Sequence, residues 1–485
     1  MTWSKIAFRW FIVLTFVAFL AAANNEAMSQ NYNNNNNSNN NNSYGNNNNN
    51  SYGNNDNNNS SGSYGSGVVI MPDGVLQRIR VDNLISQTQK EAIYKGIAND
   101  LRRSSKCRKI SLNRLEEQIK ANQGVISEEM QNLAGLTRIE NVFIYPESGD
   151  IVIAGPAEGW TLGTDEATVG FKSNRPTLQL HDLVAALRAF PPEGKATSLI
   201  GCSIDPSQEG LQAMQSYLKT AQKPNLDNQN DLANYAEGIQ KALGLQNVQI
   251  WGVSPKTHFA ATLVAADYRM KLIGIGLEEP PVKMITYVEK SNPANVATNA
   301  LVRWFFQPNY DCVVMTEDGL AMQLNGEGVN LIGEDELVAA NGQRMVNKGR
   351  GNRATKLYAK SFTDKFTKIA DLVPVYANLR NLIDMTIVAA YLQKEGAYAK
   401  TNWSMDFLGD ENQFPIETLN PVQFADTAVN VIKHNQNIAS FPTGGGVVIE
   451  PQTALDADHL KYDDKNEVNA KRTSLKLPEG QWWWD

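Results

Sequence analysis

Only three of the 485 residues are cysteine, Cys107, Cys202 and Cys312, so disulfides are not the framework of this chain. At most one internal bridge forms, leaving one thiol over. Basic residues are not in excess either: Lys and Arg total 44 against 51 Asp and Glu, a formal charge of −7. That balance excludes the positive footprint of non-specific nucleic-acid binding and makes acidic membranes poor partners. The four histidines, at 181, 258, 434 and 459, lack metal-ligand spacing, so no metal is implied. No G-x-S-x-G, H-E-x-x-H, phosphate-loop or dinucleotide fingerprint occurs, and no cofactor is implied. Beyond the first residues there is no apolar run of membrane length. "MTIVAAYL" (385–392) is well short of the roughly 20 residues needed and predicts a buried core helix.

What is present is most explicit at the start. Lys5 and Arg9 precede the uninterrupted apolar run "FIVLTFVAFLAAA" (11–23), followed by small residues. This is the pattern of a secretory signal peptide, cleaved after residue 23 or 29, and it predicts export to the periplasm, cell envelope or exterior. Residues 30–66 are dominated by Asn, with "SYG" at 43–45, 51–53 and 63–65. Such a tract cannot bury enough apolar surface to offset its ordering entropy, which predicts a disordered tether.

The remaining residues, roughly 420, suffice for more than one core. Asp73-Gly74, Ser148-Gly149 and Asp318-Gly319 each sit between apolar runs and predict β-hairpins, and "GGGVVIEPQT" (444–453) begins another strand. Amphipathic helices are expected between the hairpins. "YAEGIQKALG" (235–244) is a helix stopped by Gly244. Asp205-Pro206 opens a helix after the strand 196–204, and 362–396 is helical with Thr363 as N-cap and a kink at Pro374. The segment 419–434 is a helix capped by Asn420 and Pro421. "ISLNRLEEQI" (110–119) and "LQLHDLVAAL" (178–187) echo one another as an extended entry into a helix. The fold class is therefore α+β: repeated β-hairpins interleaved with amphipathic helices after a disordered Asn-rich N-terminal tract. The organisation read from these changes is 1–29 signal peptide, 30–66 linker and an α+β N-terminal domain at 67–195. An α+β central domain at 196–400 and a C-terminal extension at 401–485, with a helix and a Trp-rich tail, complete it.

Chemistry has few candidates. Cys107 lies in "RRSSKCRK", whose basic residues favour a thiolate, though the segment also reads as a plain basic turn. Asp456, Asp458, His459 and Asp463 would gather round a cation or form a solvated acidic loop. "NGEGVNLIG" (325–333) is Gly-rich, but Glu327 has the wrong sign for cradling phosphate, and "KGRGNRATK" (348–356) reads as a solvated basic loop. Consecutive Trp482, Trp483 and Trp484 would stack on sugar rings or a partner, or clasp the tail to the body by burying indole area.

The densest mixture of charge and apolar residues is "HFAATLVAADYRMKLIGIGLEEPP" (258–281). Wound as a helix opened by Ser254-Pro255, it puts Phe259, Leu263, Ala266 and Met270 on a core stripe. Asp267 and Lys271 then form an ordinary i,i+4 surface pair. His258 and Arg269, roughly 16 Å apart along the axis, cannot meet on one reacting atom. What survives is a candidate anion site at Ser254 and His258, where free N–H groups and the helix dipole would gather.

This stretch, with "IGCSIDPSQEGLQ" (200–212), "YANLRNLIDMTIVAA" (376–390) and the opening "GVVIMPDGVL", resembles an uncharacterised family of exported planctomycete-type proteins over about 67–395. The resemblance implies export and a shared fold, and no catalytic residue. The expectation is an exported, non-catalytic structural or binding protein whose partner is a protein or cell-surface component, with no transmembrane segment in the mature chain. An extracytoplasmic hydrolase without a recognisable motif is the alternative.

Overall fold

The Asp73-Gly74 pair turns the chain as its residues dictate. Gly74 takes φ +80°, which costs a residue without Cβ little, and Asp73 Oδ1 accepts from Val75 N at 3.2 Å. The strands it joins, β1 (Gly65–Ile70) and β2 (Val75–Val81), pair antiparallel with Ile70 opposite Leu76. The computed structural model describes residues 65–485 apart from 82–84, 164–166, 294–295, 297–299, 327, 347–352 and 435. The predicted signal peptide (1–29), residues 30–64 of the Asn-rich tract, Glu327 and most of the basic loop lie outside the described residues.

β1 and β2 begin a mixed nine-stranded sheet. Next come β15 (Phe424–Ala425), β9 (Gln246–Trp251), β8 (Ile200–Pro206) and β18 (Thr443–Ile449). β10 (Ala300–Pro308), β13 (Val329–Val338) and β14 (Arg344–Val346) complete it. A second sheet of seven strands runs β19 (Lys461–Tyr462), β11 (Val313–Met315), β12 (Ala321–Leu324), β4 (Asn141–Tyr145), β5 (Asp150–Ala157), β3 (Ser105–Ser111) and β20 (Trp483–Trp484). β6 (Trp160–Leu162) with β7 (Thr168–Gly170), and β16 (Val431–His434) with β17 (Asn437–Ser440), form two small antiparallel pairs. The predicted hairpins at 148–149 and 318–319 are the β4–β5 and β11–β12 turns. The triple glycine of β18 lets the two flanking strands close in: a Cβ on Gly446 would sit 1.8 Å from the Cys202 carbonyl oxygen.

Among the described helices, nine have eight or more residues: α1 (Gln87–Gly96), α2 (Leu112–Ala121), α3 (Leu180–Ala189), α4 (Gln208–Thr220), α5 (Gln229–Leu243), α6 (His258–Gly274), α7 (Arg353–Leu372), α8 (Pro374–Lys394) and α9 (Glu467–Ser474). α6 lies on β8, β18 and β10, α8 packs over α6 and α3, and α7 covers β13. These elements enclose the main core, into which Val142, Ile144, Ile151 and Ile153 of the seven-stranded sheet also point. The opposite face of that sheet carries Phe143, Tyr145, Val152 and Ala154, covered by Val468 and Trp484. No described helix is long and apolar enough to cross a membrane, and "MTIVAAYL" is buried within α8.

The α+β class and the alternation of hairpins and helices are as expected. The nine-stranded sheet takes strands from each of the segments 67–195, 196–400 and 401–485.

Several local expectations need correction. Segment 419–434 is not helical: β15 fills the gap between β2 and β9, where Gln423 N donates to Gly74 O and Val248 N to Gln423 O, both at 2.9 Å. Open ladder positions on two neighbouring strands outweigh a helical apolar period. Thr363 lies inside α7, its hydroxyl accepting from Leu331 N at 2.9 Å, and Pro374 starts a new helix instead of kinking one. Asp205 and Pro206 end β8, and Ser207 caps α4. α6 is capped by Thr257, not Ser254, and its Asp267–Lys271 pair is buried rather than on a surface.

Candidate functional site

Thr257 ends the turn after β9 in extended conformation, and its Oγ1 accepts from Ala260 N, so α6 starts at His258. The first residue of a helix projects back over the preceding loop, and here that brings the imidazole to α3. His258 Nδ1 lies 2.9 and 3.0 Å from the two carboxylate oxygens of Asp182. The carboxylate is 6% exposed and the imidazole 48%. Nδ1 therefore carries the hydrogen toward Asp182, and Nε2 sits 3.5 Å from Thr262 Oγ1. The anion meeting this imidazole is the protein's own. Neighbouring His181 packs edge-on against Phe414, and burial lowers its pKa against the opposing pull of Asp182.

Beside this pair a hollow of about 370 Å³ opens between α3, the β9–α6 turn and residues 409–417. Ala185, Ala189, Val253 and Ile416 supply its apolar wall, and Ser254 and Thr257 line it as well. Arg188 and Glu411 also line it, but they hold each other in an ion pair. Arg188 Nε donates to Leu408 O at 2.8 Å and Nη2 to Phe414 O at 2.6 Å. Glu411 Oε1 accepts from Ile416 N and Glu417 N, both at 2.9 Å. Burial would raise the Glu411 carboxyl, yet these bonds and Arg188 outweigh it and hold it below its ordinary value. The side chains that look reactive are thus structural ties of the 408–417 loop.

The other charges of the 258–281 stretch do not converge on His258. α6 runs unbroken, and Arg269 turns to Glu278, Nη2 to Oε1 at 2.7 Å, away from His258. Lys271 Nζ donates to Asp267 Oδ2 at 2.7 Å and Ile204 O at 2.9 Å. Next to them Arg303 binds Asp205 at 2.8 Å and Glu336 at 3.2 Å, with Arg344 closing the group 3.1 Å from Asp205. Burial pushes the Asp205 carboxyl up, but Arg303, Arg344 and Lys271 outweigh it and bring it down to about 2. For Asp267 burial prevails over Lys271 and the carboxyl rises to about 6.

The tryptophans do clasp the tail. Trp483 and Trp484 pair with Ile110 and Lys109 of β3, and Ser111 N donates to Trp482 O at 2.9 Å. Trp482 and Trp484 are buried, and Trp483 lies over the Arg108 guanidinium at 4.8 Å. Arg108, fully buried, binds both carboxylate oxygens of Asp485 at 2.9 and 3.0 Å. Cys107 stands in β3 rather than in a turn; burial raises its thiol despite Lys109, against the thiolate its basic neighbours implied. All three cysteines are free thiols. Asp463 caps α9, accepting from Glu467, Val468 and Asn469 N, while His459 faces Asp311 at 2.8 Å. Among the described residues no group of three or more His, Cys, Asp or Glu is placed to hold a metal ion.

Asp182, Arg188 and Glu411 were not anticipated. Only Asp182 left a signal, as a lone acid in the apolar helix "LHDLVAAL".

The fold and site define an α+β protein with one mixed central sheet, which buries the charges of Asp205, Asp267, Lys271, Arg303 and Glu336 between β8, α6 and their partners. Residues 202–287, from β8 to just beyond α6, match a family described as protein of unknown function (DUF1598). The match is narrower than the resemblance over 67–395 implied. No curated protein and no solved structure matches the chain.

Proposed function

We propose that this is an exported, non-catalytic protein of the cell envelope or exterior, of the planctomycete type, that binds a partner or small ligand in the hollow beside α6. The N-terminal signal pattern motivates export. The single observation that carries the binding reading is the make-up of the hollow: an apolar wall of Ala and branched side chains, with the Arg188–Glu411 pair already committed to each other and to backbone. Such a surface offers burial without a group set to move protons.

The test uses anilinonaphthalene sulfonate as an apolar probe. Ala189→Trp, which fills the hollow from its half-buried wall, should abolish a one-to-one binding isotherm while leaving the melting temperature unchanged. Probe binding that survives the substitution removes the hollow as the site. Export is tested separately: the N-terminus of the protein recovered from the culture or periplasm should map to residue 24 or 30, and recovery with Met1 intact refutes cleavage.

One observation favours the alternative, an extracytoplasmic hydrolase: a buried carboxylate, Asp182, orienting the half-exposed imidazole of His258. Under that reading His258→Gln abolishes turnover of a p-nitrophenyl ester, whereas under the binding reading the parent protein shows no such turnover.

A further inference from the structure

An Asn or Asp followed by Gly is a place where a chain can attack itself. With no Cβ on the second residue, the glycine nitrogen reaches the side-chain carbonyl carbon, and the pair closes to a succinimide. Four such pairs occur in the sequence: Asp73-Gly74, Asp318-Gly319, Asn325-Gly326 and Asn341-Gly342. The fold locks three of them. Gly74 N donates to Met71 O at 2.9 Å, Gly319 N to Thr316 O at 3.0 Å and Gly342 N to Ala339 O at 2.9 Å. Gly342 is also buried against Gln208, whose carbonyl oxygen lies 2.1 Å from where a Cβ would stand. Gly326 differs on each count. Its N–H has no acceptor among the described residues, it is exposed, and nothing lies within 4 Å of its Cβ direction. The carbonyl it would attack is also prepared. Lys471 Nζ of α9 donates to Gln323 Oε1 at 2.8 Å, and since an ammonium only donates, this fixes which end of the Gln323 amide faces Asn325. Gln323 Nε2 then donates to Asn325 Oδ1 at 2.6 Å. That oxygen gathers negative charge when its carbon is attacked, so the donor favours the tetrahedral stage.

We propose that Asn325 is a site of spontaneous modification in the native protein. Hydroxide takes the Gly326 N–H proton, the freed nitrogen bonds to Asn325 Cγ, and the Cγ–Nδ2 bond breaks. The amide nitrogen leaves as ammonia, taking its proton from water. A second water then opens the succinimide at either carbonyl, leaving aspartate at 325 or its isomer, in which the chain runs through the side-chain carbon. Neither oxidant nor reductant is needed. Each product carries one more negative charge than the parent chain. The isomer also lengthens the backbone by one carbon next to Gly326, whose carbonyl accepts from Arg138 Nη2 at 2.7 Å. It therefore loosens the tie between the β12–β13 connection and the Arg138–Asp384 pair. This inference does not depend on the hollow or on export.

The test holds the purified full chain in mildly alkaline buffer and follows the peptides containing Asn325 and Asn341 by mass spectrometry, with chain kept unfolded in denaturant as the reference. Unfolded, the two Asn-Gly pairs should convert at similar rates. In the native protein Asn325 should convert about tenfold faster than Asn341, whose Gly342 N–H must first give up its bond to Ala339 O. Gln323→Leu should slow Asn325 several-fold and leave Asn341 unchanged. Equal native rates at the two sites, or an Asn325 that stays an amide, overturn the proposal. An Asn325 rate untouched by Gln323→Leu overturns the part given to the donor. A Gln323→Leu chain that fails to fold reveals itself by a faster Asn341, and the comparison within the parent then decides.

Discussion

Replacing Trp484 with Ala separates a clasp from a ligand platform. The indole is 8% exposed and packs with Phe143, Tyr145, Val152 and Val468 on the outer face of the seven-stranded sheet. An indole buries about 150–250 Å². At about 25 cal/mol/Å² this sets a ceiling of roughly 4–6 kcal/mol. Truncations of this kind cost about 3–5 kcal/mol in closed cores. Trp484 lies under a surface strap, where water can enter the vacated space, so the lower figure, about 3 kcal/mol, applies. Unfolding entropy of about 2.1 cal/mol/K per residue over the unit 63–485 amounts to roughly 0.9 kcal/mol/K, which converts that loss to a fall of about 3–4 °C. Differential scanning calorimetry reads it directly. Trp483→Ala, which removes chiefly a stack on Arg108, should cost about 1 kcal/mol and a correspondingly smaller shift. A Trp484→Ala variant melting within about 1 °C of the parent, or a larger loss at Trp483, would refute the burial argument.

Three other outcomes follow from the buried polar groups. Glu116 accepts from Trp403 Nε1, Phe407 N and Leu408 N at 2.5, 2.8 and 2.9 Å, so Glu116→Ala strands three donors and should lower unfolding free energy by about 3–5 kcal/mol in urea titration. The two shifted aspartates act oppositely with pH. Asp205, held at about 2 against an ordinary 3.8, contributes stability that is present above pH 3.8 and lost as pH falls through 2, about 2 kcal/mol that Asp205→Asn removes from the acid limb. Asp267, raised to about 6, is most favourable while protonated, so its contribution is lost as pH rises from 3.8 through 6, and Asp267→Asn should flatten stability across that window. With Cys202 and Cys312 buried and the Cys107 thiol raised, the native protein at neutral pH should react slowly with iodoacetamide, and three thiols should titrate at once in denaturant. Rapid native labelling of Cys107 would contradict its described surroundings.

Much of the local conformation was legible because its causes lie within a few residues. Asp73-Gly74, Ser148-Gly149 and Asp318-Gly319 supply turn geometry from their own side chains and φ freedom, and Gly244 ends α5 at φ +66° for the same reason. The continuous helix from 258 to 274, and with it the separation of His258 from Arg269, followed from helical spacing alone. Periodicity was a poor guide wherever a neighbouring element set the outcome. Segment 419–434 has a helical pattern, but two waiting sheet edges drew it into extended form.

Sequence by itself therefore determined the turns, the helix stops and the α+β class, since these depend on backbone preferences and short-range periods. Tertiary structure alone decided which charges are interior. Asp267 and Lys271 carry an i,i+4 spacing suited to a solvent-facing pair, yet α6 lies on the central sheet with α8 over it, and the same spacing becomes a buried pair bonded to Ile204 O. Likewise Asp182 and His258, 76 residues apart, meet only because α3 and α6 pack side by side. A charge's partner and its dielectric surroundings come from chain segments distant in sequence, so neither can be read from the spacing of the residues that carry it.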